Sequence, residues 1–119
     1  MPETSTLDPR FRPLADALVR ALHGADARFR VTSARRSALD QQRLYNDWLR
    51  GASPFPALPP GRSQHELGLA VDVARWGIDP GKDELLAEFG LAWRKAGFIW
   101  AGPKDPVHFQ APRSMAPAR

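Results

Sequence analysis

A chain of 119 residues that is 43% hydrophobic and 25% charged has the make-up of one globular domain with a modest core. It contains no cysteine, which excludes a disulfide framework and any thiolate metal site and leaves histidine and carboxylate as the strong metal ligands. Seventeen Lys and Arg against thirteen Asp and Glu give a net charge of +4, which favours an anionic partner.

Residues 1–12 read as a flexible polar arm, without the apolar core of a signal peptide. No run approaches the ~18 apolar residues of a membrane span. Pro13 opens a helix with Leu14, Leu18, Ala21 and Leu22 on one face, and Gly24 stops it. His23, in its last turn, suits the helix dipole better than a metal. Residues 28–33 alternate and carry β-branched side chains, as a strand does. Ser37 then caps a helix over 38–50, with Leu39, Leu44 and Trp48 at helical spacing and Gly51 as its stop. The proline-braced stretch 51–61 has neither helical nor strand period. A buried strand over 69–74 comes next, then turns over 75–81.

Asp83 and Glu84 open a third helix, interrupted by Gly90, with a further short helix over 91–96. Strands over 98–100 and 107–109 form a hairpin, and the tail from Ala111 to Arg119 is loose. One domain over 13–110 results. The order helix, strand, helix, strand, helix, hairpin does not alternate as a doubly wound sheet would. It predicts an α+β fold with a small antiparallel sheet and two or three packed helices.

The chemistry gathers around Ser63-Gln64-His65-Glu66-Leu67-Gly68-Leu69-Ala70-Val71-Asp72. A carboxylate inside an apolar strand is costly unless a cation neutralises it. Zinc fits best, since it accepts His nitrogen and Asp oxygen and keeps a fourth position open when catalytic. His108, in Asp105-Pro106-Val107-His108, supplies the third ligand beside His65 and Asp72, and Asp105 is the candidate base. Pro106 places this pair on a turn or extended segment rather than a helix. Glu66 adjoins a ligand as in His-Glu-x-x-His helices, but Leu69 stands where the second His is needed and Gly68 spoils the helix. Ser63 either hydrogen-bonds ligand or substrate, or caps the local turn.

Ser63-x-His65-x-x-Gly68-x-Ala70-x-Asp72, followed by Asp105-x-x-His108-Phe109, resembles the zinc peptidases of the M15 (VanY / D-Ala-D-Ala carboxypeptidase) family. The resemblance spans about residues 31–110 and is nearest to the L-alanyl-D-glutamate endopeptidases of bacteria and phages. It implies a hedgehog or D,D-peptidase-like fold, one Zn2+ per chain on His65, Asp72 and His108, and catalysis by Asp105 with Arg36 as a fixed cation. It further implies substrate contacts from Arg36, Gln41, Ser63 and Trp100. The substrate class implied is the peptidoglycan stem peptide, cut at the L-Ala-D-Glu bond. The alternatives are a D-Ala-D-Ala carboxypeptidase or dipeptidase with the same zinc machinery, and a non-catalytic metal-binding wall module. The basic charge then suits the anionic wall, and no helix-turn-helix or aromatic-basic RNA motif argues for nucleic acid. The expected protein is a monomer, made in the cytoplasm and delivered to the wall by a holin, a phage tail or a secretion system.

Overall fold

Strand propensity and period-2 alternation give four short strands: β1 (Phe29–Ser33), β2 (Ala70–Arg75), β3 (Ile99–Trp100) and β4 (His108–Gln110). The computed structural model describes residues Thr4–Met115, and in it these strands form one antiparallel sheet in the order β1-β2-β4-β3. Alternation divides the sheet's faces. Phe29, Val31, Val71, Val73 and Phe109 are buried in the core, while Asp72, His108 and Gln110 point to the other side. Val31 pairs with Val73 but Ser33 with Asp72, so Thr32 is an extra residue on β1. Such a bulge bends the strand and re-aims the residues beyond it. Here these are Ser33–Arg36, which turn over the face carrying Asp72.

Three helices flank the sheet. In α1 (Arg12–Ala25) the face Ala15, Leu18 and Leu22 is buried and the helix lies against β1. In α2 (Ala38–Leu49), capped by Ser37 Oγ on the Asp40 N–H, the one buried residue is Gln41. In α3 (Glu84–Lys95) Leu86, Gly90 and Trp93 are buried, and Asp83 caps its start.

Gly90 does not interrupt α3, contrary to the sequence expectation, which placed two helices over 83–96. Its role is spatial: a Cβ there would stand 2.1 Å from Cε2 and 2.3 Å from Cδ2 of Trp100. The ring of Trp100 lies on the bare helix backbone. Gly90→Ala should therefore destabilise the protein by about 1–3 kcal/mol through overpacking, against the ~1 kcal/mol that alanine gains in helix propensity. Urea unfolding reads the balance, and a variant more stable than the parent would refute this packing.

The structure also corrects the flexible arm. From Thr4 onward this segment belongs to the core: Leu7 and Phe11 are buried, and Phe11 meets Trp93 edge-on with ring centroids 6.2 Å apart. The Asp8 N–H donates to the Gly68 carbonyl at 3.0 Å, and Thr4 Oγ1 donates to Asp16 Oδ1 at 2.5 Å. Polar composition hid two apolar residues four apart, each aimed inward by the turn at Asp8. The near part of the expected loose tail is likewise attached. Ala111 is buried and donates to the Leu69 carbonyl at 2.9 Å, and Arg10 reaches the Met115 carbonyl at 2.8 Å. Residues 1–3 and 116–119 lie outside the described residues, and among the described ones no helix is long and apolar enough to cross a membrane.

Candidate metal centre

The pairing of β2 with β4 sets Asp72 directly opposite His108. His65 comes from the turns before β2, closed by Glu66, Leu67 and Gly68 N–H groups donating to Ser63, Gln64 and His65 carbonyls. Gly68 ends these turns at φ 71°, and a Cβ would stand 2.7 Å from the Asp8 backbone nitrogen. The motif glycine is thus required twice, by its backbone conformation and by the N-terminal segment laid across it. One ligand atom each from His65, Asp72 and His108 lies within 4.8 Å of the other two.

Hydrogen bonds fix which atoms converge. The Ala34 carbonyl lies 2.7 Å from His65 Nδ1, so Nδ1 carries the proton and donates, leaving a lone pair on Nε2. That Nε2 stands 3.0 Å from Asp72 Oδ1. His108 is arranged the other way round: Nε2 lies 3.0 Å from Gln110 Oε1 and Nδ1 3.2 Å from the same Asp72 Oδ1. With both imidazoles neutral, two nitrogen lone pairs and a carboxylate oxygen face one point. Either protons or a metal cation must relieve that arrangement, and a set of two imidazoles and one carboxylate oxygen is the donor chemistry of an open, catalytic zinc site. The residues present fit the metal.

The electrostatics agree. Burial pushes the Asp72 carboxyl up, but its hydrogen bonds with His108 and His65 outweigh burial and hold it below the ordinary carboxylate range. For His108, burial works downward and the Asp72 carboxylate upward, and the carboxylate prevails. Both shifts have one cause, the close approach of the imidazoles to Asp72 Oδ1.

Arg36 occupies the other side of the same carboxylate. Its NH2 donates to Asp72 Oδ2 at 3.1 Å, its Nε to Ser33 Oγ at 3.1 Å and its NH1 to Gln41 Oε1 at 3.2 Å. Oδ2 is thus engaged and Oδ1 is left for the cation. Of the two adjacent arginines, Arg36 faces the site, and its own N–H donates to the His65 carbonyl at 3.1 Å.

Three residues expected at the substrate are buried: Gln41, Ser63 and Trp100 are 2, 6 and 5% exposed. The amide of Gln41 bridges Arg36 and the Leu58 carbonyl, tying the proline-braced loop to the guanidinium. Ser63 Oγ accepts the His65 N–H at 3.2 Å, the contact that the turn-capping alternative calls for. Trp100 donates its Nε1–H to the Pro106 carbonyl at 2.9 Å and so braces the loop that carries Asp105. Glu66, set aside as a base, accepts the Gly61 N–H with its carboxylate at 3.0 Å and anchors the same loop as Gln41. His23 lies on the exposed face of α1, away from the cluster.

Asp105 stands at the surface on the loop between β3 and β4. Its N–H donates to the Gly102 carbonyl at 3.1 Å and its own carbonyl accepts from the His108 N–H at 3.1 Å. This turn couples the candidate base to a ligand. Shielding of its carboxyl, then the negative charge of Asp72, raise its pKa above the ordinary aspartate value despite opposing attraction from His108, His65 and Arg36. Gln110 was not among the expected site residues. The signal for it was its position two after a ligand on one strand, hence on the same face.

The family model described as "VanY: D-alanyl-D-alanine carboxypeptidase" matches residues 4–89, a stretch that holds Arg36, His65 and Asp72 and ends before Asp105 and His108. No curated protein sequence matches the chain. Among solved structures, the LdcB LD-carboxypeptidase superposes with a TM-score of 0.68 at 23% identity, over 90% of this chain and 66% of that one. A mutant of the vancomycin-resistance D,D-pentapeptidase VanY in complex with Zn(II) gives 0.62 at 24% identity, over 88% and 72%. The Serratia marcescens L-Ala D-Glu endopeptidase ChiX gives 0.60 at 24% identity, over 97% and 87%. The chain therefore spans about two thirds of the length of LdcB and most of ChiX. At these identities the likeness carries the fold: an α+β domain of this peptidase type.

Proposed function

We propose, from the premise that this chain belongs to the VanY D-alanyl-D-alanine carboxypeptidase family, that it is a zinc-dependent hydrolase of peptidoglycan stem peptides. The observation that carries the reading is the convergence of His65 Nε2, Asp72 Oδ1 and His108 Nδ1 on one point. Zinc is the metal of choice on donor chemistry, and the related VanY binds Zn(II). When bound, the metal supplies Lewis acidity, polarising a scissile carbonyl and acidifying water.

The protein's own residues do the rest. Asp105, protonatable at the mouth of the site, takes the proton of the attacking water and returns it to the leaving amine. Arg36 keeps Asp72 oriented through Oδ2, and one N–H on each of its terminal nitrogens remains for a substrate oxygen. The Gln41 and Ser33 side chains hold that guanidinium still, which lowers the entropy it must lose when substrate arrives.

For the bond, the reading is the L-Ala-D-Glu amide. It is supported by the Asp105-x-x-His108-Phe109-Gln110 ending and by shared length, since the match covers 87% of the endopeptidase against 66% and 72% of the two carboxypeptidase-type chains. The family description favours a second reading, removal of a terminal D-Ala by the same machinery. Mass spectrometry of digested muropeptides separates them: a new N-terminal D-Glu is expected. Release of free D-Ala with L-Ala-D-Glu intact would overturn the endopeptidase reading and leave the metal chemistry standing. The wall is where this activity belongs.

A further inference from the structure

We infer that Gln110 is a positioning residue for the metal site, holding the His108 ring so that Nδ1 and not Nε2 faces the cation. This rests on the metal reading above and extends it to a side chain behind the ligands. His108 and Gln110 are the first and last residues of β4, two apart, so their side chains leave the same face of the sheet. Gln110 Oε1 lies 3.0 Å from His108 Nε2, on the side of the ring away from Asp72. An amide oxygen only accepts, so the contact requires the proton on Nε2 and leaves Nδ1 bare.

The amide is itself aimed by a fixed backbone. Residue 110 pairs with Ala70 on β2 and with Ile99 on β3, and its carbonyl accepts from Trp93 Nε1 at 3.0 Å. The backbone from which the amide departs is thus held from both neighbouring strands and from α3. His65 carries the mirror arrangement, with the Ala34 carbonyl 2.7 Å from Nδ1 directing Nε2 inward. The site thus binds one histidine through each kind of ring nitrogen, and each ring has its own acceptor behind it. For His65 that acceptor is backbone and no substitution removes it. For His108 it is a side chain, which makes the idea testable. Outer partners of this kind are worth about 10- to 100-fold in metal affinity.

The experiment measures zinc affinity by chelator competition for the wild type, Gln110→Met and Gln110→Glu, with the cobalt-substituted visible spectrum as a second readout. Methionine keeps length and removes the acceptor; glutamate keeps the oxygen and strengthens it. Gln110→Met is expected to bind zinc about 10- to 100-fold more weakly with an altered cobalt spectrum, and Gln110→Glu, with the stronger acceptor, to bind more tightly than the wild type. Nitrogen NMR of the metal-free wild type is expected to show His108 protonated at Nε2. Equal zinc affinity and an unchanged cobalt spectrum in Gln110→Met would overturn the role of Gln110 alone. A wild type that takes up no zinc would overturn the metal reading and this inference with it. Should Gln110→Met fail to fold, Gln110→Glu decides: unchanged affinity and spectrum with the stronger acceptor would overturn the role, and tighter binding would support it.

Discussion

Asp105→Ala is expected to lower kcat/KM on peptidoglycan by about 10²- to 10⁴-fold, the usual contribution of a positioned general base, while leaving the fold and the zinc stoichiometry unchanged. The reason for the split is structural. Asp105 is exposed, outside the core, and what it contributes to its loop comes from its backbone: Gly102 accepts its N–H and its carbonyl accepts from His108. Alanine keeps both. The carboxyl is lost and the ligand stays in place. In the metal-free protein, shielding and the Asp72 charge raise the Asp105 pKa above that of an ordinary aspartate. Wild-type activity should fall on the acid side as Asp105 takes up a proton, and the residual activity of Asp105→Ala should lack that limb. Full activity in the variant, or loss of zinc along with activity, would remove Asp105 from the role of base.

The cluster of His65, Asp72 and His108 was legible because its residue types are few and its setting is costly. An aspartate inside Leu69-Ala70-Val71-Asp72-Val73 demands compensation, and a chain with three histidines offers few ways to supply it. The hairpin over 98–109 was legible too, and its register places Trp100 opposite Phe109. What local sequence could not show is how distant pieces lie on one another. Gly90 reads as a helix breaker until Trp100 is found upon it. Gln41, Ser63 and Trp100 carry groups that a substrate could use, and each is taken by a partner elsewhere in the chain: Arg36 and Leu58, His65, Pro106. Leu7 and Phe11 look like arm residues because the residues around them are polar. Their burial depends on Gly68 and Trp93, more than fifty positions away. The bulge at Thr32 has no signature of its own, yet it turns Arg36 towards Asp72.

The largest stability effect is expected away from the site, at Asp83. This side chain is fully buried and does two things at once. It accepts from Arg75 in a fork, Nε to Oδ2 at 3.0 Å and NH2 to Oδ1 at 2.7 Å, and Oδ1 also accepts the Leu86 N–H that starts α3. Arg75, the last residue of β2, also reaches Asp26 Oδ2 at 3.3 Å and stacks over Phe29 at 5.4 Å. One guanidinium thus joins the end of β2 to the start of α3 and the end of α1. Asp83→Ala removes a helix cap and leaves that guanidinium without its fork, a cost of about 3–5 kcal/mol for breaking a buried pair. Against a typical stability of about 5–15 kcal/mol, that is enough to shift the unfolding midpoint strongly. Asp83→Asn keeps the capping oxygen and one acceptor for Arg75, so it should recover part of the loss. Acid should act in the same direction. Asp26 is held below the ordinary aspartate range, chiefly by Arg28 and also by Arg75. A depressed carboxyl stabilises the fold above its unfolded pKa, near 3.8, and the contribution is lost as pH falls below that value towards the folded pKa. Urea midpoints at neutral pH rank the variants, and wild-type stability in Asp83→Ala would show that the Arg75 cluster contributes nothing to joining β2 with α3.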